Sequence, residues 1–311
     1  MNPQFLIFEI LIFILFFICL YKAIKQGSSR VWEFLFSAIY GVFLEWMTIQ
    51  QLSAYHYGQF MVMIDGAPLC IGLAWAVIIF SGMEYVKQLE IPGVARPFLI
   101  GFLALNMDLA CDVIAIRQGF WTWAIPLNAQ WFGVPWGNFW AWYIVVVSYS
   151  GLIYVFQTRG WRTSKNFLKR FGYVPLVGFL SILILALTNY LFVYEIGADG
   201  ISGLLSMGFL LQTGALIVII FRPKVPGSAK IDPISMSVPL VFHLYFNWIG
   251  FQNGYYREIP ILGVVGLLML FLGVFIHVYP AWKARKIQQS NDHLTIHQYV
   301  NGEEIGGQQV R

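Results

Sequence analysis

Asp108 and Asp112 stand one helical turn apart in the stretch MDLACDVIAIRQGFWTW, residues 107–123. On a helix this spacing puts both side chains on one face. Two ionised carboxylates that close repel strongly wherever water is scarce, so one of them is expected to keep a proton near neutral pH. A neutral acid beside an ionised base suits general acid/base chemistry. It also suits a proton pathway, so the pair alone does not choose between an enzyme and a transporter. Glu45, His56, Tyr57, Asp65, Trp121, Trp123, Asn138, Asn189, His243 and Asn247 are the further candidates for a site around it.

The elements that must carry these residues are membrane spans. The chain is 59% hydrophobic and only 11% charged, against about 25% charged residues in soluble domains. Nine apolar runs approach the roughly 20 residues that a span needs. They lie near 4–22, 31–51, 69–86, 97–117, 136–156, 174–194, 201–221, 237–256 and 260–280. The run at 69–86 is short, and the run at 237–256 carries His243, Asn247 and Gln252. With the N-terminus outside, nearly all Lys and Arg residues fall in cytoplasmic connections. The opposite side holds only Arg117 and Arg257, the asymmetry of the positive-inside rule. The expected fold is therefore an all-α polytopic bundle over residues 1–286, with a polar, disordered cytoplasmic tail at 287–311. The expected location is a prokaryotic cell membrane.

Several function classes drop out. The net charge of +4 follows from topology, and no basic-aromatic module for nucleic acid is present. The start lacks the basic n-region of a secretory signal, so the first span is expected to stay. Cys19, Cys70 and Cys111 match no metal or redox spacing, and no phosphate loop, zinc-protease motif or nucleophile elbow occurs. No lysine lies well inside a span, which leaves a retinal-type photoreceptor no attachment point. No metal or cofactor is expected.

Carboxylates inside spans cost about 2.5–3.5 kcal/mol each on insertion scales and are functional by default. On the expected topology, Glu45, Asp108, Asp112, Asn138 and Asn189 lie from mid-depth outward, with His243 and Asn247 nearer the middle. That predicts one cavity lined by the second, fourth, fifth, sixth and eighth spans. Six tryptophans at 121, 123, 131, 136, 140 and 142 follow the aspartate pair. An interfacial aromatic belt accounts for part of this. In FGVPWGN, Gly133 and Pro135 set a tight turn before Asn138. Aromatic faces over buried acids also suit an apolar polyene and a carbocation made from it, since each such contact is worth about 0.5–2 kcal/mol.

At these residues the chain resembles the membrane carotenoid biosynthesis proteins that include bisanhydrobacterioruberin hydratase and the carotenoid 1,2-hydratases of its type. GVFLEWMTIQ, YHYGQFMVMIDGAPLCIGLAW, MDLACDVIAIRQGFWTW and WFGVPWGNFWAWY carry the resemblance, over about residues 41–143. One departure is Val113 where the family pattern has a proline. The resemblance implies cofactor-free addition of water to a terminal isoprenoid double bond of an acyclic carotenoid. The partners would be that lipid, water and the bilayer. Asp108 would be the acid and Asp112 or Glu45 would handle the water. Asn138 and His56 would hold it, and Trp121, Trp123 and Tyr57 would line the end-group pocket. A membrane isoprenoid cyclase would use the same acid and aromatics, and a proton-coupled transporter stays open as a different class.

Overall fold

The computed structural model describes residues 2–51, 55–197 and 200–300, with side chains described to residue 290. It is a helical bundle. The elements are α1 (Pro3–Gln26), α2 (Ser28–Gln51), β1 (Tyr55–Tyr57), β2 (Met63–Ile64), β3 (Ala67–Pro68), α3 (Leu69–Val86), α4 (Arg96–Gln118), β4 (Trp121–Trp123), α5 (Trp136–Thr158), α6 (Phe167–Tyr190), α7 (Gly200–Phe221), α8 (Pro233–Gln252), α9 (Tyr255–Glu258) and α10 (Pro260–Val300). A π-helical turn, Leu191–Gly197, links α6 to α7.

Among the described residues, eight helices are long and apolar enough to cross a membrane, which makes the chain an integral membrane protein. They correspond to eight of the nine expected runs. The ninth, at 31–51, is also a long helix of the bundle, α2, but it carries the charged residues Arg30, Glu33 and Glu45. Those side chains are all buried against neighbouring helices. The last helix passes through Pro280 and continues to Val300, so the expected boundary at 286 falls within it. Residues 301–311 of the expected tail lie outside the described residues.

The short run at 69–86 proves to be the centre of the molecule. Every residue of α3 from Cys70 to Val86 is buried, because α1, α2, α4 and α8 all pack against it. Against it packs α2, at a crossing made possible by two glycines. A Cβ on Gly41 would lie 2.6 Å from the Gly72 carbonyl oxygen, and one on Gly72 would lie 2.7 Å from the Val42 nitrogen. This approach brings Glu45 of α2 beside Trp75 of α3.

One end of the bundle carries a small lid. β1 pairs antiparallel with β4, matching Tyr55 with Trp123, His56 with Thr122 and Tyr57 with Trp121. Gly119, at φ +76°, ends α4 and turns the chain into β4. Glu9 of α1 is fully buried and accepts the Met61 N–H at 2.9 and 3.0 Å, which pins the segment after β1. Arg117 does not pair with Asp112. Its guanidinium donates to the carbonyls of Val113, Phe132 and Leu127, fastening the loop before α5. The opposite end holds Lys22, Arg30, Lys87 and Arg162 around Glu33 and Glu84.

Candidate active site

Beneath the lid lies a cavity of about 40 Å³, walled by residues of α1, α2, α3, α4, α5, α8 and both lid strands. Asp112 and Asn138 form one polar part of its lining and Glu45 and Tyr57 another, and Trp75, Trp121 and Trp142 add aromatic wall. A buried water needs roughly 10–15 Å³ by this measure, so the space suits two or three waters.

The acidic side is built from two helices. α4 runs unbroken through Val113 and presents Asp108 and Asp112 on one face, within side-chain hydrogen-bond reach of each other. α5 begins after the turn that Gly133 shapes at φ +95°, and Asn138 lies in its first turn. Its amide donates to Asp112 at 2.7 Å and to Asp108 at 3.2 Å. One side-chain amide thus bridges both acids. Asp108, which the sequence reading made the acid, is fully buried behind the wall, whereas Asp112 faces the cavity.

The other side is built around Glu45. Trp75 donates its indole N–H to Glu45 Oε1 at 2.7 Å, and Tyr57 donates its hydroxyl to Oε2 at 2.6 Å. Tyr55 in turn donates to the Tyr57 hydroxyl at 2.6 Å. Burial and then the Glu45 charge push the Tyr57 phenol well above its ordinary range. Tyr57 is thus held in its protonated form, as a donor to Glu45, near neutral pH. Both oxygens of Glu45 hold donors, and hydrogen bonds to a charged acceptor are the strong ones.

The other expected residues divide by geometry. Trp121 lines the cavity, and Trp123 stacks on Tyr55 at 4.2 Å one layer out. His56 is exposed, because strand alternation turns it to the face opposite Tyr55 and Tyr57. Asp65 is exposed in the β2–β3 turn and accepts the Trp46 indole N–H at 2.7 Å. Asn189 is half-buried near the end of α6 and does not line the cavity. His243 and Asn247 join a separate polar cluster, where His243 bonds Asn106 at 2.9 Å and Tyr256 donates to Asn247 at 3.0 Å. The lining thus corrects the expected set of spans: α1 and α3 contribute and α6 does not. Trp75 escaped the sequence reading. Its signal was an indole N–H in mid-helix, which needs an acceptor when buried. Among the described residues no three His, Cys, Asp or Glu side chains gather where they could hold a metal ion.

The model of the carotenoid biosynthesis protein family matches residues 3–207, more than half of the chain. The chain belongs to this family. The matched region contains every residue of the cavity wall except Phe242 of α8. The protein therefore has a role in carotenoid biosynthesis, with an isoprenoid or carotenoid substrate. Comparison with curated proteins and with solved structures gives no match.

Proposed function

We propose that the protein is a hydratase, a hydro-lyase acting in the reverse sense, that adds water to a terminal isoprenoid double bond of an acyclic carotenoid. The observation that carries this reading is a small cavity lined both by Asp112, one of an acid pair, and by the hydrogen-bonded carboxylate of Glu45. A cyclase needs a proton donor, aromatic walls and a base for its last deprotonation. Room for water beside that base is what hydration adds.

In this mechanism Asp108 and Asp112 share one proton, and Asn138 holds them in register. Asp112 protonates the less substituted alkene carbon, so that the π pair forms the new C–H bond and positive charge develops on the tertiary carbon. Trp75, Trp121, Trp142 and Tyr57 surround that charge with ring faces. A cavity water attacks the tertiary carbon, and Glu45 takes the proton which that water loses. A second water carries the proton from Glu45 back to the aspartate pair, which restores the starting state with no net proton change. Positioned acid and base groups of this kind contribute about 10²–10⁴-fold. Exclusion of bulk water and orientation of the end group supply the rest.

The cavity is too small for an isoprenoid end group beside its waters. Entry therefore requires Trp121, Trp142 or Phe242 to swing aside, with the polyene lying in lipid alongside the bundle. The basic end faces the cytoplasm of a prokaryotic cell on this reading, by the positive-inside rule.

The test is expression in cells that accumulate an acyclic carotenoid, grown in ¹⁸O-labelled water, with mass spectrometry of the pigments. One labelled water gained per modified end group is the expected result. A product of unchanged mass and altered retention would replace hydration by cyclisation.

A further inference from the structure

A second, smaller cavity of about 10 Å³ lies on the same α2–α3–α5 seam, toward the basic end. On α5, Asn138 and Trp142 line the first cavity and Tyr149 lines the second. Trp142 and Tyr149 are two helical turns apart, about 10 Å along the axis. Between the two cavities, Tyr40 lies against Tyr149 at 4.7 Å, and its hydroxyl is 2.9 Å from that of Ser181.

The wall of this second space carries buried polar atoms that meet no protein partner. The Arg30 guanidinium gives one nitrogen to Glu33 at 2.8 Å and another to Glu84 at 2.9 Å, and its face lies on Phe80 at 4.5 Å. Its Nε is buried without a hydrogen-bond partner, and so is the Tyr149 hydroxyl. Both side chains are almost wholly inaccessible. Glu33 and Ser37 complete the polar part of the wall.

We propose that this space is a binding site for one water molecule, held by Arg30 Nε, the Tyr149 hydroxyl and the Glu33 carboxylate. Three considerations select water. The volume is close to the least that holds one molecule. A cation would be repelled by the Arg30 guanidinium that lines the space. A halide would accept from Arg30 and Tyr149 but would face the Glu33 charge. Water accepts from the first two and donates to the third. It also gives a partner to the one Arg30 nitrogen that has none, where a buried charge is costly unless hydrogen-bonded. No residue lines both this space and the first cavity, so the water stands apart from the groups of the candidate site. Its task is therefore to secure the Arg30–Glu33 anchor of α2, the helix that carries Glu45 at its other end.

The test is solid-state NMR of ¹⁵N-arginine-labelled full-length protein in lipid bilayers, measuring magnetisation transfer from water to the assigned Arg30 Nε–H. Transfer is expected in the wild type, with loss of the cross-peak in Tyr149→Phe while the helical backbone shifts are retained. An Arg30 Nε–H that receives nothing from water, in a sample where exposed arginines do, would overturn the proposal. So would an anomalous peak at this position in crystals soaked in bromide, which would make the site an anion site.

Discussion

The two ends of the bundle both bury carboxylates, and they treat them in opposite ways. At the basic end Glu33 receives Arg30, Arg162, Gln157 and Tyr173, and Glu84 receives Arg30, Lys22, Lys87 and Gln26. Under the lid, Asp108, Asp112 and Glu45 receive an amide, a phenol and an indole. Among the described residues no cation pairs with them. A carboxylate neutralised by fixed cations is locked in its charged form and holds helices together. One that meets only neutral donors keeps a proton within reach of exchange. Burial by itself does not separate structure from chemistry here, and the charge of the partners does.

That contrast predicts different consequences for equally buried residues. The largest effect is expected from Asp112→Asn, which removes the proposed proton donor at the cavity wall. Turnover should fall by about 10²–10⁴-fold in pigment assays, with the melting temperature in detergent little changed. Asp108→Asn keeps the hydrogen bond to Asn138 one layer behind the wall, so it should retain more activity than Asp112→Asn. The reverse order would return the donor role to Asp108.

Arg30→Met should act in the other currency. It leaves Glu33 and Glu84 buried short of a cation, and breaking such a pair costs about 3–5 kcal/mol. Chemical or thermal unfolding in micelles should register the loss, with activity per folded molecule preserved. A stable Arg30→Met protein would show that the basic end is not an anchor.

A smaller effect is expected from Trp75→Phe. The ring stays in the wall, but the hydrogen bond to the Glu45 carboxylate goes, at about 1.5–3 kcal/mol for a charged partner. Roughly a tenfold or greater drop in kcat should accompany it, since 1.4 kcal/mol is a factor of ten. No drop at all would remove Glu45 from the reaction. Smallest is His56→Ala, on the exposed face of β1, where stability should move by no more than about 0.5 kcal/mol and turnover should hold.

Much of the fold was legible in the chain because bilayers impose a simple rule. Backbone groups in lipid must bond within their own segment, so apolar runs of sufficient length become helices. Eight of the nine expected runs meet that description. α2 departs from it because Arg30, Glu33 and Glu45 could be charged only by facing inward, a choice that no hydropathy average reveals. α10 runs on past its apolar part to Val300, because polarity removes the membrane signal without removing helical propensity.

Of the candidate site, the local part was readable. The four-residue spacing of Asp108 and Asp112 sets them on one face whatever surrounds the helix. The glycine and proline before α5 aim Asn138 inward by backbone geometry alone. Tyr57 and His56 were indistinguishable as neighbours, because only the pairing of β1 with β4 decides which of two alternating side chains looks down. His243 and Asn247 are as polar and as deep as the cavity residues, yet α8 turns them toward α4 and α10.

Spacing within one helix determines which side chains share a face, and length and apolarity determine that the helix crosses the membrane. Both are local properties, written in consecutive residues. Which carboxylate meets a guanidinium and which meets an indole is decided by packing between distant segments. Asn138 reaches Asp112 across 26 residues and Trp75 reaches Glu45 across 30. Such partners are selected by close approaches like that of Gly41 and Gly72, where the absence of two side chains lets the helices meet.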